Sequence, residues 1–223
     1  MDWKLVFNAV GKFVVGLVLV AGLAFLPAGT WQYWNAWLLI GILFVPMLAL
    51  GVVLFAANPE LLRKRLKSRE TEQTQKAVVA LTAVLFLAAF VVAGLNFRFS
   101  WCVLPRAVAI AAAFVFLLGY ALYAEVMGEN AYLSRTVEVQ AGQKVIDTGL
   151  YGVIRHPMYT ATLLMFLSLP LVLGSPLSFV VMLGYVPVLL RRIKNEESVL
   201  ETGLPGYTEY KARVKYRLIP HIW

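Results

Sequence analysis

The chain alternates long apolar runs with short polar interruptions, and the runs are too long and too uniformly apolar for the half-buried elements of a water-soluble domain. Four of them, residues 9–26, 34–57, 77–95 and 108–127, are almost free of charge. Each comes close to the ~20 residues that carry a helix across a bilayer. Two shorter runs, 158–173 and 177–190, flank Gly174-Ser175-Pro176, a turn signal that predicts a tight helical hairpin. Both fall short of a full crossing and contain Pro170 and Pro187, so their inner ends are expected to lie below the headgroups.

The pattern predicts an all-α integral membrane protein with about six transmembrane helices, the last two forming a short C-terminal hairpin. It divides the chain into a four-helix membrane region, 1–127, and a region at 128–223 made of a polar loop, the hairpin at 158–190 and a tail. The first run lacks a convincing small-residue cleavage site, and Pro27 leads directly into further membrane sequence. It is therefore read as a helix rather than a signal peptide.

Composition agrees with this reading: 61% of residues are hydrophobic and 14% charged, and mean hydropathy is +0.76, well outside soluble averages. The net charge of +8 could suggest nucleic acid, but the basic residues sit between helices, where anionic lipid and the positive-inside rule place them. Membrane lipids are the expected partners and nucleic acid is not. Arg63, Lys64, Arg65, Lys67, Arg69 and Lys76 follow the second run, whereas the turns at 28–33 and 98–105 carry almost nothing basic. The alternation places both termini, the 128–155 loop and the tail from Arg191 in the cytoplasm. The compact chain suggests a bacterial inner membrane. Cys102 is the single cysteine, and no Cys/His spacing suits a metal, so no metal site is expected.

The first four runs hold hardly any ionisable residues at depth; Lys12 and Glu125 lie near helix ends and can snorkel. A transporter or proton relay would place such groups near the midplane, often in two related halves. Neither pattern is visible. The polar residues gather instead in the loop, which has a short β-like stretch at 136–140 and a turn at 147–149, and in the tail. The tail reads as a helix leaving the membrane, broken near 203–206 and resumed with Tyr207 and Tyr210.

Between loop and hairpin lies GLYGVIRHPMY, residues 149–159. Pro157 suits a helix's first turn, and the free N–H groups there, with the donor fork of Arg155, suit a carboxylate. Across a tight hairpin stand Arg191, Arg192, Glu196 and Glu197. Taken singly these are ordinary interfacial cations, belt aromatics and a solvated helix face. Together they offer both signs of charge, aromatic rings and apolar walls, which suits a zwitterionic nucleoside better than a metal or a bare phosphate.

The series TGLYGVIRHPMY, short hairpin, RRIKNEESVL and YTEYKARV resembles the isoprenylcysteine carboxyl methyltransferase family and its relatives among phospholipid methyltransferases, over residues 128–220. The resemblance implies an S-adenosylmethionine pocket on the cytoplasmic side under a lid, with an amphipathic or lipid acceptor entering from the bilayer. It implies that Val145, Ile146, Gly149 and Tyr151 line the nucleoside, and that Arg155, His156 and Tyr159 hold the cofactor from the start of the hairpin. Glu196 or Glu197 would complete the pocket, and Tyr207 and Tyr210 would lock the lid. Arg155 is the candidate catalytic residue, as the cation that orients a carboxylate acceptor; an amine acceptor would need a base such as Glu125, Glu129 or His156. Carboxylate O-methylation is the favoured activity. Phospholipid or lipid-amine N-methylation is the alternative within the class, and a non-enzymatic membrane protein or small transporter is the alternative outside it.

Overall fold

The computed structural model describes residues 3–66, 73–133 and 139–223. They form α1 (Trp3–Ala28), α2 (Trp34–Ala57), α3 (Pro59–Leu66), α4 (Gln73–Phe99) and α5 (Arg106–Glu129). A 3-10 turn at Gly149–Gly152 leads to α6 (Pro157–Val172), α7 (Pro176–Leu183), α8 (Tyr185–Gly203) and α9 (Tyr207–Arg213). No strand occurs among the described residues. Of the expected β-like stretch, residues 136–138 lie outside the described residues and 139–140 are not in a strand.

The chain is an all-α integral membrane protein. Among the described residues, α1, α2, α4, α5 and the α7–α8 path are long and apolar enough to cross a membrane. Their outer faces expose Val14, Val18, Val52, Val84, Phe114 and Leu118, surface that water would penalise and lipid does not. The inner core joins Phe25, Tyr33 and Leu39 to Phe90, Phe116, Leu169 and Leu173.

The α5–α6 pair is the most extensive helix contact, and Gly119 makes it possible. A Cβ there would stand 2.9 Å from the Ala161 carbonyl oxygen and 2.8 Å from Met165 Cγ, inside van der Waals contact. Small residues allow this kind of close backbone approach in membrane bundles.

Helix α6 has 16 residues, about 24 Å at 1.5 Å per residue, short of the ~30 Å hydrocarbon layer. Its terminal carbonyls, which have no intrahelical partner, are met from α2 and the residue before it: Asn35 Nδ2 donates to the Val172 oxygen at 2.7 Å, and the Tyr33 hydroxyl donates to that of Leu173. The turn passes through Gly174 at φ +74°, and Ser175 caps α7 by accepting from the Ser178 N–H at 3.2 Å.

The second arm differs from expectation. The sequence suggested a short apolar arm at 177–190 followed by a tail helix broken near 203–206; in the structure the bend falls at Gly184, and one helix then runs through position 190 to Gly203, a path of 28 residues from Pro176. Pro187 lacks the N–H that would bond the Leu183 carbonyl, which places the break one turn before the proline. Only α6 is short. A further difference is α3, a short helix where a plain loop was expected; Leu61 and Leu62 bury one face of it, while Lys67 and Arg69 lie outside the described residues. Leu61 packs with Val126, Met127 and Tyr151, so the ends of α2 and α5 and the start of α6 meet at one polar end of the bundle.

Candidate functional site

The RHP segment is fixed by its backbone before its side chains act. Arg155 N–H donates to the Tyr216 carbonyl and His156 N–H to that of Arg217, both at 2.9 Å. Thr160 Oγ1 donates to the Leu218 carbonyl at 2.8 Å. The C-terminal segment thus forms a strap across the start of α6, and it closes on itself through N–H bonds from Arg217, Leu218 and Ile219 to the Trp223 oxygen.

Beneath lies a cluster around Glu197. Its Oε1 accepts from Arg155 Nε at 2.8 Å and lies 3.1 Å from His156 Nε2, while its Oε2 accepts from Arg217 Nη2 at 2.9 Å. Arg155 Nη1 is also committed, to the carbonyls of Val214 at 2.7 Å and Lys215 at 2.8 Å. The Glu197 side chain is 4% exposed. Two guanidiniums and an imidazole, from the start of α6 and the C-terminal strap, thus share one buried carboxylate, the kind of satisfied pairing that burial of charge requires.

The neighbouring Glu196 points elsewhere, since successive helical residues are rotated by about 100°. It accepts from the Tyr159 hydroxyl, which in turn accepts from Arg192 Nε at 2.9 Å. The His156 ring stacks on Tyr159 at 5.6 Å between centroids, and the Arg192 guanidinium lies 5.8 Å from the same ring. A cavity opens above this layer, about 850 Å³ of empty space counting the solvent in its open mouth.

The lid is α9. Gly206 at φ +84° turns the chain from α8 so that Tyr207, Tyr210 and Val214 pack with Leu204 against Val139, Val145 and Leu200. The two tyrosines are not equivalent. Tyr210 donates its hydroxyl to the Tyr151 carbonyl at 2.8 Å, whereas the buried Tyr207 hydroxyl has no partner among the described residues. Burial pushes the Tyr207 phenol well above its ordinary pKa, and the nearby charges of Glu197 and Glu196 push it the same way. It is a neutral hydrogen-bonding group at any ordinary pH.

Seven of the residues singled out in the sequence line the cavity: Val145, Ile146, Tyr151, Arg155, His156, Tyr159 and Glu196. Gly149 does not; it is exposed, in the 3-10 turn, with the Glu129 carboxyl 3.0 Å from where its Cβ would be. Glu197 does not line it either, being spent on the cations below. The candidate bases differ in place: Glu129 accepts from Thr148 outside the cavity lining, and Glu125 is exposed on α5.

Leu200 and Arg217 were not singled out in the sequence; Arg192 was named only in the charged set across the hairpin, and Tyr207 only as a lid residue. Arg192 stood in view, paired with Arg191. Glu197 could have been placed inside by the i, i+4 series Tyr185, Leu189, Ile193, Glu197, all buried, which marks the inner stripe of α8. No pattern in the tail singled out Arg217. Among the described residues no three His, Cys, Asp or Glu gather as metal ligands would.

Residues 107–204 match the family model described as phospholipid methyltransferase. The segment therefore begins inside α5 and takes in the polar loop, the hairpin and α8. The chain is also 32% identical over 91 residues to the Delta(14)-sterol reductase TM7SF2 of Mus musculus, and 26% identical over 93 residues to the Delta(14)-sterol reductase of Methylotuvimicrobium alcaliphilum. Each of these matches covers 40% of this chain and 22% of the relative.

Proposed function

We propose that this integral membrane protein, whose segment 107–204 is similar to phospholipid methyltransferases, is an S-adenosylmethionine-dependent methyltransferase acting on a lipophilic acceptor. The observation that carries the reading is the cavity between the start of α6 and α8, which joins cations and a carboxylate to aromatic and apolar walls. Those surfaces suit each part of S-adenosylmethionine: Glu196 for the ammonium, Arg192 and the first turn of α6 for the carboxylate, and the apolar walls for the nucleoside. The unpartnered Tyr207 hydroxyl adds a polar group that a ligand can satisfy.

The bound cofactor supplies a methyl group activated by its sulfonium. The protein's part is to align, dehydrate and orient. His156 and Arg155 are held rigidly by Glu197 and the strap, so the upper layer is set before a ligand arrives, and alignment of this kind is worth effective molarities on the order of 10⁵ M or more. Arg155 keeps Nη2 for a ligand, its other donors being committed within the protein. A carboxylate acceptor fits this arrangement: it is already anionic, needs no proton removed, and needs only a fixed cation and exclusion of water. In this reading the acceptor enters from the bilayer near Met158, an apolar lining residue in the first turn of α6, and the site faces the cytoplasm.

Titration calorimetry on the detergent-purified protein with S-adenosylmethionine, S-adenosylhomocysteine and NADPH tests the cofactor. Binding of the first two without NADPH is expected. Binding of NADPH alone would overturn the reading in favour of a reductase like the sterol reductases that share part of its sequence, and binding of none would leave a membrane protein without this chemistry. Membranes fed labelled methyl donor then resolve the acceptor: a base-labile methyl ester is expected, and label in phosphatidylethanolamine derivatives would make the protein an N-methyltransferase.

A further inference from the structure

The strap that crosses the start of α6 contains a turn, Ile219-Pro220-His221-Ile222, closed by the Ile222 N–H donating to the Ile219 carbonyl at 3.2 Å. Its two sides are unlike. Leu218 is buried, and with the partly buried Trp223 it packs on the cluster of Ala89, Tyr159, Met182, Leu189 and Ile193. On the outer side Ile222 is 76% exposed and Ile219 42%. Two bare isoleucines in one turn present aliphatic surface that water disfavours.

The depth of the strap identifies what covers that surface. The far end of α6 meets Tyr33 and Asn35 at the start of α2, and the Leu104 N–H donates to the Gly174 carbonyl just beyond it. Trp31, Trp37 and Trp101 are exposed in these adjoining segments, an aromatic belt of the kind that sits at headgroup level. From there α6 runs back through 16 residues, about 24 Å, so its first residue lies about 6 Å inside a hydrocarbon layer of ~30 Å. Tilt would set it deeper. Thr160, whose hydroxyl donates to the Leu218 carbonyl at 2.8 Å, is further in still. The turn is therefore level with the hydrocarbon edge rather than with bulk water. Lys215, exposed earlier in the strap, has a stem long enough to reach the headgroups; the isoleucines have no polar end to send there. We propose that Ile219 and Ile222 insert into the edge of the leaflet on the cavity side, so that the strap is an interfacial anchor and its partner is the lipid surface. The inference does not depend on the identity of the cofactor. It bears on the site because the strap accepts the N–H groups of Arg155 and His156 and brings Arg217 to Glu197, so that the bilayer backs the lower layer.

Spin labelling in nanodiscs of phosphatidylethanolamine and phosphatidylglycerol tests the anchor, with Cys102→Ser as background. Nitroxides are attached through Ile222→Cys, through Leu118→Cys on the exposed face of α5, and through Ala141→Cys in the exposed polar loop. Collision with oxygen reports hydrocarbon, and collision with a water-soluble nickel chelate reports water. The label at 222 is expected to favour oxygen over the chelate, as the label at 118 does, while the label at 141 shows the reverse. Ile219→Asp, added to Ile222→Cys, is expected to shift the 222 label several-fold towards the chelate, because an aspartate is costly in hydrocarbon. Ile222 makes little contact with the rest of the protein, so the labelled chain should keep the parent's melting temperature. The proposal is overturned if the 222 label meets the chelate as freely as the 141 label does, or if Ile219→Asp leaves its accessibility unchanged. A 222 label shielded from both reagents overturns it as well, in favour of a second copy or another protein seated on the turn.

Discussion

Glu197→Ala removes the carboxylate on which Arg155, His156 and Arg217 converge. Breaking a buried ion pair by deleting one partner costs about 3–5 kcal/mol, because the remaining charge stays buried without compensation. Two features place this case at the lower end. Arg155 keeps the carbonyls of Val214 and Lys215, and the Arg217 side chain, 26% exposed, can recover water. A loss of about 3 kcal/mol follows, which for a chain of this size lowers the melting temperature by roughly 6–12 °C. Glu196→Ala provides the contrast. Glu196 faces the cavity, where water can solvate the Tyr159 and Arg192 groups it leaves, so its cost should stay near the ~1 kcal/mol of an exposed pair. The assay is thermal unfolding of both purified variants beside S-adenosylhomocysteine titration. Glu197→Ala should melt far lower; Glu196→Ala should melt within roughly 4 °C of the parent and lose at least tenfold in affinity. Equal melting temperatures, or a Glu196 variant that unfolds while the Glu197 variant does not, would refute the division of labour between the two carboxylates.

Arg217→Ala should weaken S-adenosylhomocysteine several-fold through the loosened Arg155 and His156, and Arg217→Lys should recover part of the loss; full affinity in the alanine variant would remove Arg217 as a positioning residue. Cys102 lies in the turn between α4 and α5, exposed and at the end of the bundle away from the cavity. If the site faces the cytoplasm, a membrane-impermeant maleimide must label Cys102 in intact cells, and labelling only after lysis would reverse the orientation. Gly119→Val should destabilise the protein by about 1–3 kcal/mol through overpacking, since its new carbon meets the Ala161 backbone oxygen as well as Met165 Cγ; an unchanged melting temperature would mean that α5 and α6 can separate freely.

The membrane helices were legible because a bilayer imposes one rule, a sustained apolar run, and α2 at Trp34–Ala57 coincides with the run read from the sequence. Helices α1, α4 and α5 extend beyond their apolar runs by several residues, since backbone hydrogen bonding continues past the point where hydropathy falls. Helix α4, for instance, begins at Gln73, before Lys76. Helix α3 was not legible, because a basic segment with two buried leucines has no long apolar run and its helicity depends on a tertiary contact with the end of α5. In the site, the residue types at the RHP segment carried the signal, but adjacent glutamates are equivalent in a sequence until the rotation of their helix is fixed. That rotation is set by the bend at Gly184 and by Leu189 and Ile193 packing inward.

The two layers of the site divide rigidity from availability. In the lower layer both oxygens of Glu197 are matched, and its members come from the start of α6, the middle of α8 and the C-terminal strap, so the layer forms only when all three have docked. The upper layer contains what the lower one leaves over: Nη2 of Arg155, the outer face of His156, the Tyr159 hydroxyl between Glu196 and Arg192, and the Tyr207 hydroxyl. A support built on a satisfied carboxylate beneath a partly unsatisfied surface is what a binding site needs if its geometry is to be fixed before the ligand arrives. Exchanging the layers would fail on electrostatic grounds. A mobile Glu197 would leave two guanidiniums to repel each other beside the middle of α8, and a fully matched Glu196 would have no capacity left for an incoming cation.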